Sequence, residues 1–283
     1  MLAGLHFMTA KAQDHVYSQF FRAPAYLNPS LTGQFDGHFR LNMIYRSQWT
    51  GLSSDLSYLT ASIDLRIPSF GGGVALMFTR SSEGSAYLVK NNISGSYSYS
   101  VGHDHFVASF GIQGGITNRH IDWGELVFSD QIDTRTGLIP GRVSMAQLPD
   151  ESQKNYFDVA GGLNLVYRNL MLGGAAYHIN QPDESFIGTE AKLPMRLTAH
   201  LSWLVSLGKA YTYKEETINF IPSVVYNGQA KFNALSVGGE FQYRNVKGGL
   251  WYRTADRHQP AAAVISLVFD VLTGQQKTEK LSF

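Results

Sequence analysis

Apolar and polar residues alternate along most of this chain. Residues 59–67 place leucine, alanine and isoleucine between threonine, serine, aspartate and arginine, and residues 93–101 alternate apolar or aromatic residues with serine. A period of two gives a β-strand with one apolar and one polar face. No window has a helical period, so we expect almost no helix. The pattern predicts twelve strands, with room for another at the very end: 39–48, 59–67, 72–81, 93–101, 105–117, 155–168, 170–180, 195–206, 216–227, 232–244, 247–254 and 261–270.

The predicted strands suit a membrane barrel better than a soluble sandwich. Many runs are 10 to 12 residues long, whereas soluble strands usually have about five or six residues and a tilted strand needs about 9–11 to cross a bilayer. Aromatic residues gather near the ends of the runs, where interfacial girdles lie in outer-membrane barrels. Charges in mid-strand are costly against lipid but normal in a lumen. We therefore expect the lumen to be lined by Asp64, Arg66, Asp158, Arg196, Glu240 and Arg244.

Composition favours an all-β fold, a transmembrane antiparallel β-barrel with long extracellular loops. Charged residues make up only 16% of the chain, 28 residues are glycine, and the mean hydropathy is −0.13. No stretch approaches the roughly 18 apolar residues of a spanning helix, whereas in a barrel only every second residue faces lipid. The longest connection, residues 118–154, is expected to be an extracellular loop.

The sequence offers little for catalysis, cofactors or nucleic acid. The net charge is +1 without a basic run, so nucleic-acid binding is not indicated, and the absence of cysteine excludes disulfides and thiolate ligands. G-x-S-x-G, Walker and H-E-x-x-H motifs are absent. His103, Asp104 and His105 lie in a predicted turn without a further ligand in sight. We expect no enzyme activity, no cofactor and no metal site.

The chain divides into a leader, an N-terminal segment and the barrel. Residues 1–12 contain a short apolar stretch and end in Ala-Lys-Ala, which predicts a signal peptide cleaved before Gln13. Residues 13–38 carry two prolines that restrict the backbone, and we expect them to lie at the periplasmic mouth or to plug the lumen. Residues 39–283 would form the barrel. The candidates for partner contact, or for pinning the first strand, are Pro24, Tyr26, Asn28, Pro29, Gly33, Tyr45, Arg46, Gln48 and Trp49.

Motifs along nearly the whole chain resemble the PorP/SprF family of type IX secretion systems. Residues 24–33 resemble the family's entrance segment, and residues 45–49 (YRSQW) resemble its YR-x-QW element. Residues 178–182 (HINQP) are similar to its H-x-x-QP region, and residues 248–253 to its G-x-x-YR strand. The resemblance implies a barrel of about fourteen strands in the outer membrane of a Gram-negative, Bacteroidota-type bacterium. It also implies a role in secretion, which in some members is linked to gliding motility.

Residues and resemblance together predict a non-enzymatic outer-membrane component of type IX protein secretion. It would lie in outer-membrane lipid and would bind or tether the C-terminal domains of secreted substrates, or contact proteins of the secretion machinery. Two alternatives stay open: an outer-membrane diffusion channel for small solutes, and a secreted β-sandwich adhesin. A polar lumen without a plug would favour the channel.

Overall fold

The structure, a computed structural model, describes residues 14–35, 37–49, 56–84, 88–146, 151–186, 188, 190–210, 216–243, 246–255 and 262–269. Most of this part of the chain belongs to one large antiparallel β-sheet. The predicted signal peptide at 1–12, the further strand at the very end and the lumen-lining candidate Arg244 lie outside the described residues.

The described residues form fifteen strands, thirteen of them in the large sheet. The all-β fold class is confirmed, and so are all twelve strands that the alternation predicts. The run 195–206 divides at Leu204 into two strands that pair with the same neighbour. The thirteen strands of the sheet therefore fill twelve positions in its strand order. In chain order the strands are β1 (Phe39–Gln48), β2 (Leu56–Ile67), β3 (Gly72–Glu83), β4 (Leu88–His103), β5 (Phe106–Ile121), β6 (Ile132–Asp133), β7 (Gly137–Leu138), β8 (Gln153–Tyr167), β9 (Leu170–Tyr177), β10 (Arg196–Trp203), β11 (Val205–Ala210), β12 (Glu216–Gln229), β13 (Phe232–Tyr243), β14 (Val246–Ala255) and β15 (Ala262–Phe269).

Helix in the described residues is confined to short turns. Their one α-helix, α1, covers Pro24–Leu27, and proline at its first position suits a helix start. Within the described residues, no helix is both long enough and apolar enough to span a bilayer. The other described helices are single 3-10 turns at Phe20–Arg22, Pro29–Leu31, Pro68–Phe70, Trp123–Glu125 and Ser129–Gln131.

Burial in the sheet is the reverse of that in a soluble protein. In β2 the polar Thr60 and Asp64 are buried, whereas Ile63 and Leu65 between and beside them are 41% and 43% exposed. In β4 three serines are buried, and Ile93 is 57% exposed. A soluble sandwich buries its apolar face, but a membrane barrel turns that face to lipid and keeps polar residues inside. The sheet is therefore that of a transmembrane β-barrel.

The two ends of the sheet differ in their connections. Short connections at residues 68–71, 104–105 and 168–169 lie at one end, the tight-turn end. The longest connections, at residues 122–152 and 178–195, lie at the other, the long-loop end. This asymmetry is typical of outer-membrane barrels, in which tight turns are periplasmic and long loops extracellular.

Candidate functional site

The inner face of the sheet surrounds the segment Asp14–Phe35, which we term the plug segment. Its first residue lies at the long-loop end, where the Asp14 backbone N–H donates to Gln229 Oε1 at 2.6 Å. Toward the tight-turn end, Gln34 Nε2 donates at 2.6 Å to the hydroxyl of Ser100 in β4, whose backbone N–H donates to the carbonyl of Gly71 in a tight turn. The segment therefore runs through the barrel interior from one end to the other.

The plug segment also joins strands from opposite ends of the strand order. Tyr17 shares a 2.7 Å hydrogen bond with Thr60 in β2, while its carbonyl accepts from Arg253 in β14 at 2.9 Å. Next to it, the Val16 carbonyl accepts from Arg46 in β1. The described residues contain no β1–β15 ladder, so among them the plug segment supplies side-chain hydrogen bonds that connect β1 and β2 with β14.

A buried ionic cluster anchors the plug segment at the long-loop end. The imidazole of His178 contacts Asp14 at 2.6 Å and Asp158 at 2.9 Å. Lys90 Nζ and Arg196 Nε lie 3.6 and 3.7 Å from the Asp14 carboxylate. Two carboxylates thus face three cations, an arrangement in which removal of one partner leaves buried charge uncompensated.

The cluster holds Asp14 and His178 in their charged forms. Burial by itself would raise the pKa of Asp14, but the charges of His178, Lys90 and Arg196 outweigh it and hold that pKa well below its usual range. For His178, burial opposes the charge, yet Asp14 and Asp158 together raise the pKa to about 9. Both side chains therefore carry their charge at neutral pH.

A further carboxylate, Glu184, ties the long connection 178–195 to the barrel wall. Glu184 accepts from Lys90 at 3.0 Å and from the Tyr156 hydroxyl, and Arg119 lies 3.8 Å away. Burial works to raise the pKa of Glu184, but Lys90, Tyr156 and Arg119 lower it below its ordinary value. Since Lys90 contacts both Asp14 and Glu184, the plug segment and this connection share one cation.

Aromatic rings surround the residue after Asp14. The His15 ring stacks on Tyr26 and Tyr58, with centroid distances of 5.1 and 4.3 Å. Burial lowers the pKa of His15 to about 3, so it is neutral. Nearby, the Arg196 guanidinium lies 4.4 Å from the Tyr26 ring centroid and 4.1 Å from that of Tyr177, cation–π contacts that favour a desolvated arginine.

Asn28 fixes the plug segment at mid-height. Its Oδ1 accepts from the Ser30 backbone N–H at 3.0 Å, which caps the 3-10 turn that begins at Pro29. Its Nδ2 donates to the carbonyls of Leu163 in β8 and Gly174 in β9, at 3.0 and 3.2 Å. The Asn28 side chain therefore starts the 3-10 turn and joins two strands, while its backbone N–H donates to the Pro24 carbonyl at the end of α1.

Glycine lets the wall approach this backbone closely. A Cβ added at Gly162 would lie 2.0 Å from Asn28 Oδ1, and one at Gly111 would lie 2.2 Å from the Ser30 nitrogen. Gly33 has a φ of +69°, and a Cβ there would lie 2.7 Å from the Cα of Gly73. Larger residues at these positions would displace the plug segment.

The plug segment also makes apolar and ionic contacts with the inner face of the sheet. Phe20, Leu27 and Leu31 form a buried cluster with residues of β9, β12 and β14. Arg22 Nη2 lies 2.8 Å from each carboxylate oxygen of Glu240 in β13, so the two side chains form a charge-assisted contact.

Most of the sequence-based candidates lie in the wall beside the plug segment or in the plug segment itself. Asp64, Asp158, Arg196 and Glu240 face inward and contact the plug segment or its charged partners, and Arg66 lines a cavity beside it. Pro24, Tyr26, Asn28, Pro29 and Gly33 lie in the plug segment, and Arg46 contacts it. Gln48 is partly buried, whereas Tyr45 and Trp49 are each 63% exposed.

Sequence reasoning did not single out several members of this site. Asp14 and His15 follow the predicted cleavage point directly, and Arg22 lies outside any strand. Lys90 lies on the same face of β4 as the buried serines, an even number of positions away. The alternation would have indicated its inward direction if the predicted strand had begun before residue 93. Glu184 lies in a connection and has no periodic signal.

The interior carboxylates Asp14, Glu184 and Glu240 are each paired with a cation. In the described part of the chain, no group of three or more histidine and carboxylate side chains is arranged to hold a metal ion. What the arrangement does is bind a segment of its own chain across the lumen. The surfaces left for partners are the two ends and the lipid-facing wall.

Comparison with known proteins agrees with this architecture. No curated protein and no solved structure matches the chain significantly. The family model described as type IX secretion system membrane protein PorP/SprF matches residues 9–283, nearly the whole chain. The chain therefore belongs to the PorP/SprF family of type IX secretion system membrane proteins.

Proposed function

We propose that this protein is a non-enzymatic accessory of type IX secretion in the outer membrane of a Bacteroidota-type bacterium. It acts by binding: the long-loop end holds a secreted substrate, and the tight-turn end faces the periplasmic machinery. A link to gliding motility belongs to the same proposal, through surface retention of adhesins.

The observation that carries the proposal is the combination of a filled lumen with an ordered, partly apolar outer loop. Within residues 122–146, Asp130 accepts from the Ser144 hydroxyl at 2.8 Å and from the Met145 N–H at 2.7 Å. This folded loop leaves Val143 85% and Met145 92% exposed. Large apolar side chains held out on a folded loop favour a contact with another protein.

The loop is also joined to the site at the long-loop end. The Trp123 indole N–H donates to the Glu151 carbonyl at 3.2 Å, and its ring meets Phe186 edge-on at 6.1 Å. Phe186 belongs to the connection that Glu184 ties to the wall. Partner binding at the loop would therefore be supported by the barrel and the plug segment together.

The filled lumen weighs against the diffusion channel. Solutes would have to pass the plug segment, which Asp14, Asn28 and Arg22 fasten at three heights. The lipid-type burial of the sheet likewise weighs against the secreted sandwich adhesin.

Site-specific photocrosslinking in native cells tests the proposal. The photoreactive amino acid p-benzoylphenylalanine replaces Met145 in the outer loop, or His103 at the end of β4 beside a tight turn, where the side chain is 91% exposed. Ile112, which is 66% exposed on the lipid face of β5, is the matched control.

The crosslinked products are identified by mass spectrometry. We expect the Met145 position to capture a secreted protein through its C-terminal domain, and the His103 position to capture a component of the secretion machinery. The Ile112 position should capture neither. If neither end captures a secreted protein or a secretion component, the binding proposal is wrong.

A further inference from the structure

A cavity of about 460 Å³ lies beside the plug segment at the tight-turn end. Pro68, Gly71 and Gly72 of a tight turn form part of its lining, so it opens toward that end. Its volume falls within the range of about 300–1,000 Å³ that is usual for ligand sites. We propose that it binds a short peptide segment in which an apolar side chain is followed by an acidic one.

The inner wall of the cavity is apolar. Val107, Val166 and Met171 contribute from three neighbouring strands, and Leu31 and Phe35 contribute from the plug segment. Met171 and Leu31 are themselves part of the buried cluster behind the cavity, which closes it on that side. An apolar side chain that enters from the tight-turn end would be removed from water there.

A polar group without a partner lies in the same wall. Asn164 lines the cavity and is only 2% exposed, yet none of the described residues forms a hydrogen bond with its Oδ1. Buried groups of this kind are normally satisfied.

A cation lies at the entrance. Arg66 lines the cavity, and its guanidinium donates to the Phe35 carbonyl at 3.3 Å. Among the described residues, no carboxylate lies within ion-pair distance of Arg66, whereas Arg40 on the neighbouring strand is paired with Asp64. The guanidinium therefore has donors to offer to an acidic group.

These features together favour a peptide over a lipid. A fatty acid would satisfy Arg66 and the apolar wall but would bring no donor to Asn164 Oδ1. A peptide carries amide N–H and C=O groups beside its side chains, so it matches all three features. The assignment does not depend on what the long loops bind, and it can fail or hold separately.

Fluorescence anisotropy with the full chain in detergent micelles tests the site. The probe is a fluorescein-labelled, C-terminally amidated hexapeptide of alanine with one leucine followed by one aspartate. Its twin has asparagine in place of aspartate, and laurate is the lipid competitor. The variants are Arg66→Gln and Asn164→Leu. The control is Arg168→Gln, an exposed arginine in another tight turn at the same end.

We expect saturable binding of the aspartate peptide, weakened about tenfold in the twin and in Arg66→Gln, because a charge-assisted hydrogen bond is lost. Asn164→Leu should weaken it about fivefold, since a buried acceptor is removed, and Arg168→Gln should leave it unchanged. Heat-modified gel migration verifies that each variant folds. Absence of saturable peptide binding, equal binding of the two peptides, or saturable binding of laurate alone would overturn the proposal.

Discussion

Replacement of Asp14 by asparagine should loosen the plug segment without unfolding the barrel. Asp14 is the carboxylate that His178, Lys90 and Arg196 approach within 2.6, 3.6 and 3.7 Å. The Asp14→Asn variant keeps the size of the side chain but leaves these cations short of one negative charge. Breaking a buried ion pair from one side costs about 3–5 kcal/mol.

The chain has no cysteine, so a single introduced thiol reports on the plug segment alone. Ala25 is only 1% exposed, and Ala25→Cys places the thiol where a maleimide reagent cannot reach it while the segment is seated. If labelling requires release of the segment, a loss of about 3 kcal/mol increases the labelling rate about 100-fold. The assay compares labelling rates at neutral pH in detergent, with and without Asp14→Asn.

Asp104→Asn is the matched control. Asp104 lies in a tight turn, and its one ion contact among the described residues is with His103 at 3.2 Å, both side chains being exposed. Its φ of +50° is tolerated by asparagine, so the labelling rate should not change. A rise of less than about threefold in the Asp14→Asn protein would refute the idea that the ionic cluster holds the plug segment, because roughly 0.7 kcal/mol is too little for such a pair.

The remaining predictions concern pH, close packing and the lipid face. Because His178 has its pKa raised to about 9, its stabilisation is complete below about 6.5 and is lost as pH rises through 9. Labelling of the same cysteine, divided by the rate for the unfolded chain, should therefore increase over that interval, and a flat profile would contradict this. Gly162→Ala should lower the free energy of unfolding in urea by about 1–3 kcal/mol, since its Cβ would meet Asn28, whereas Gly248→Ala has open space and should be nearly neutral. Ile112→Arg, in the middle of β5, should cost about 2–4 kcal/mol by the same measurement and Phe106→Arg, at its end, about 0–1. Equal costs at the two positions would argue against a membrane-facing wall.

Local pattern was sufficient to predict the strands and their two faces. Period two in residues 59–67 indicates β2, and the mid-strand charge of Asp64 indicates that its polar face is the inner one. The restricted backbone of residues 13–38 was also predictable, because proline fixes its own φ and limits the residue before it. These features depend on residues that are neighbours in sequence.

The contacts of the plug segment could not be predicted in the same way. Asp14 and His178 are 164 positions apart, and Asn28 is 135 positions from Leu163. Which wall position meets which plug residue depends on the curl of the sheet and on the height of the segment inside it. Neither quantity has a local signal, so the sequence pattern indicated inward residues but not their partners.

A covalent lock on the plug segment tests the central claim most directly. The hydroxyl oxygens of Thr32 and Ser96 are 2.9 Å apart, and the double variant Thr32→Cys with Ser96→Cys offers a disulfide between segment and wall in a chain without other thiols. Secretion of type IX substrates is measured in cells that depend on the variant, under oxidising conditions and after reduction. If the protein works by binding at its ends with the lumen filled, the locked form supports secretion as well as the reduced form does. Loss of secretion in the locked form, restored by reduction, would show that the lumen must open and would contradict the account.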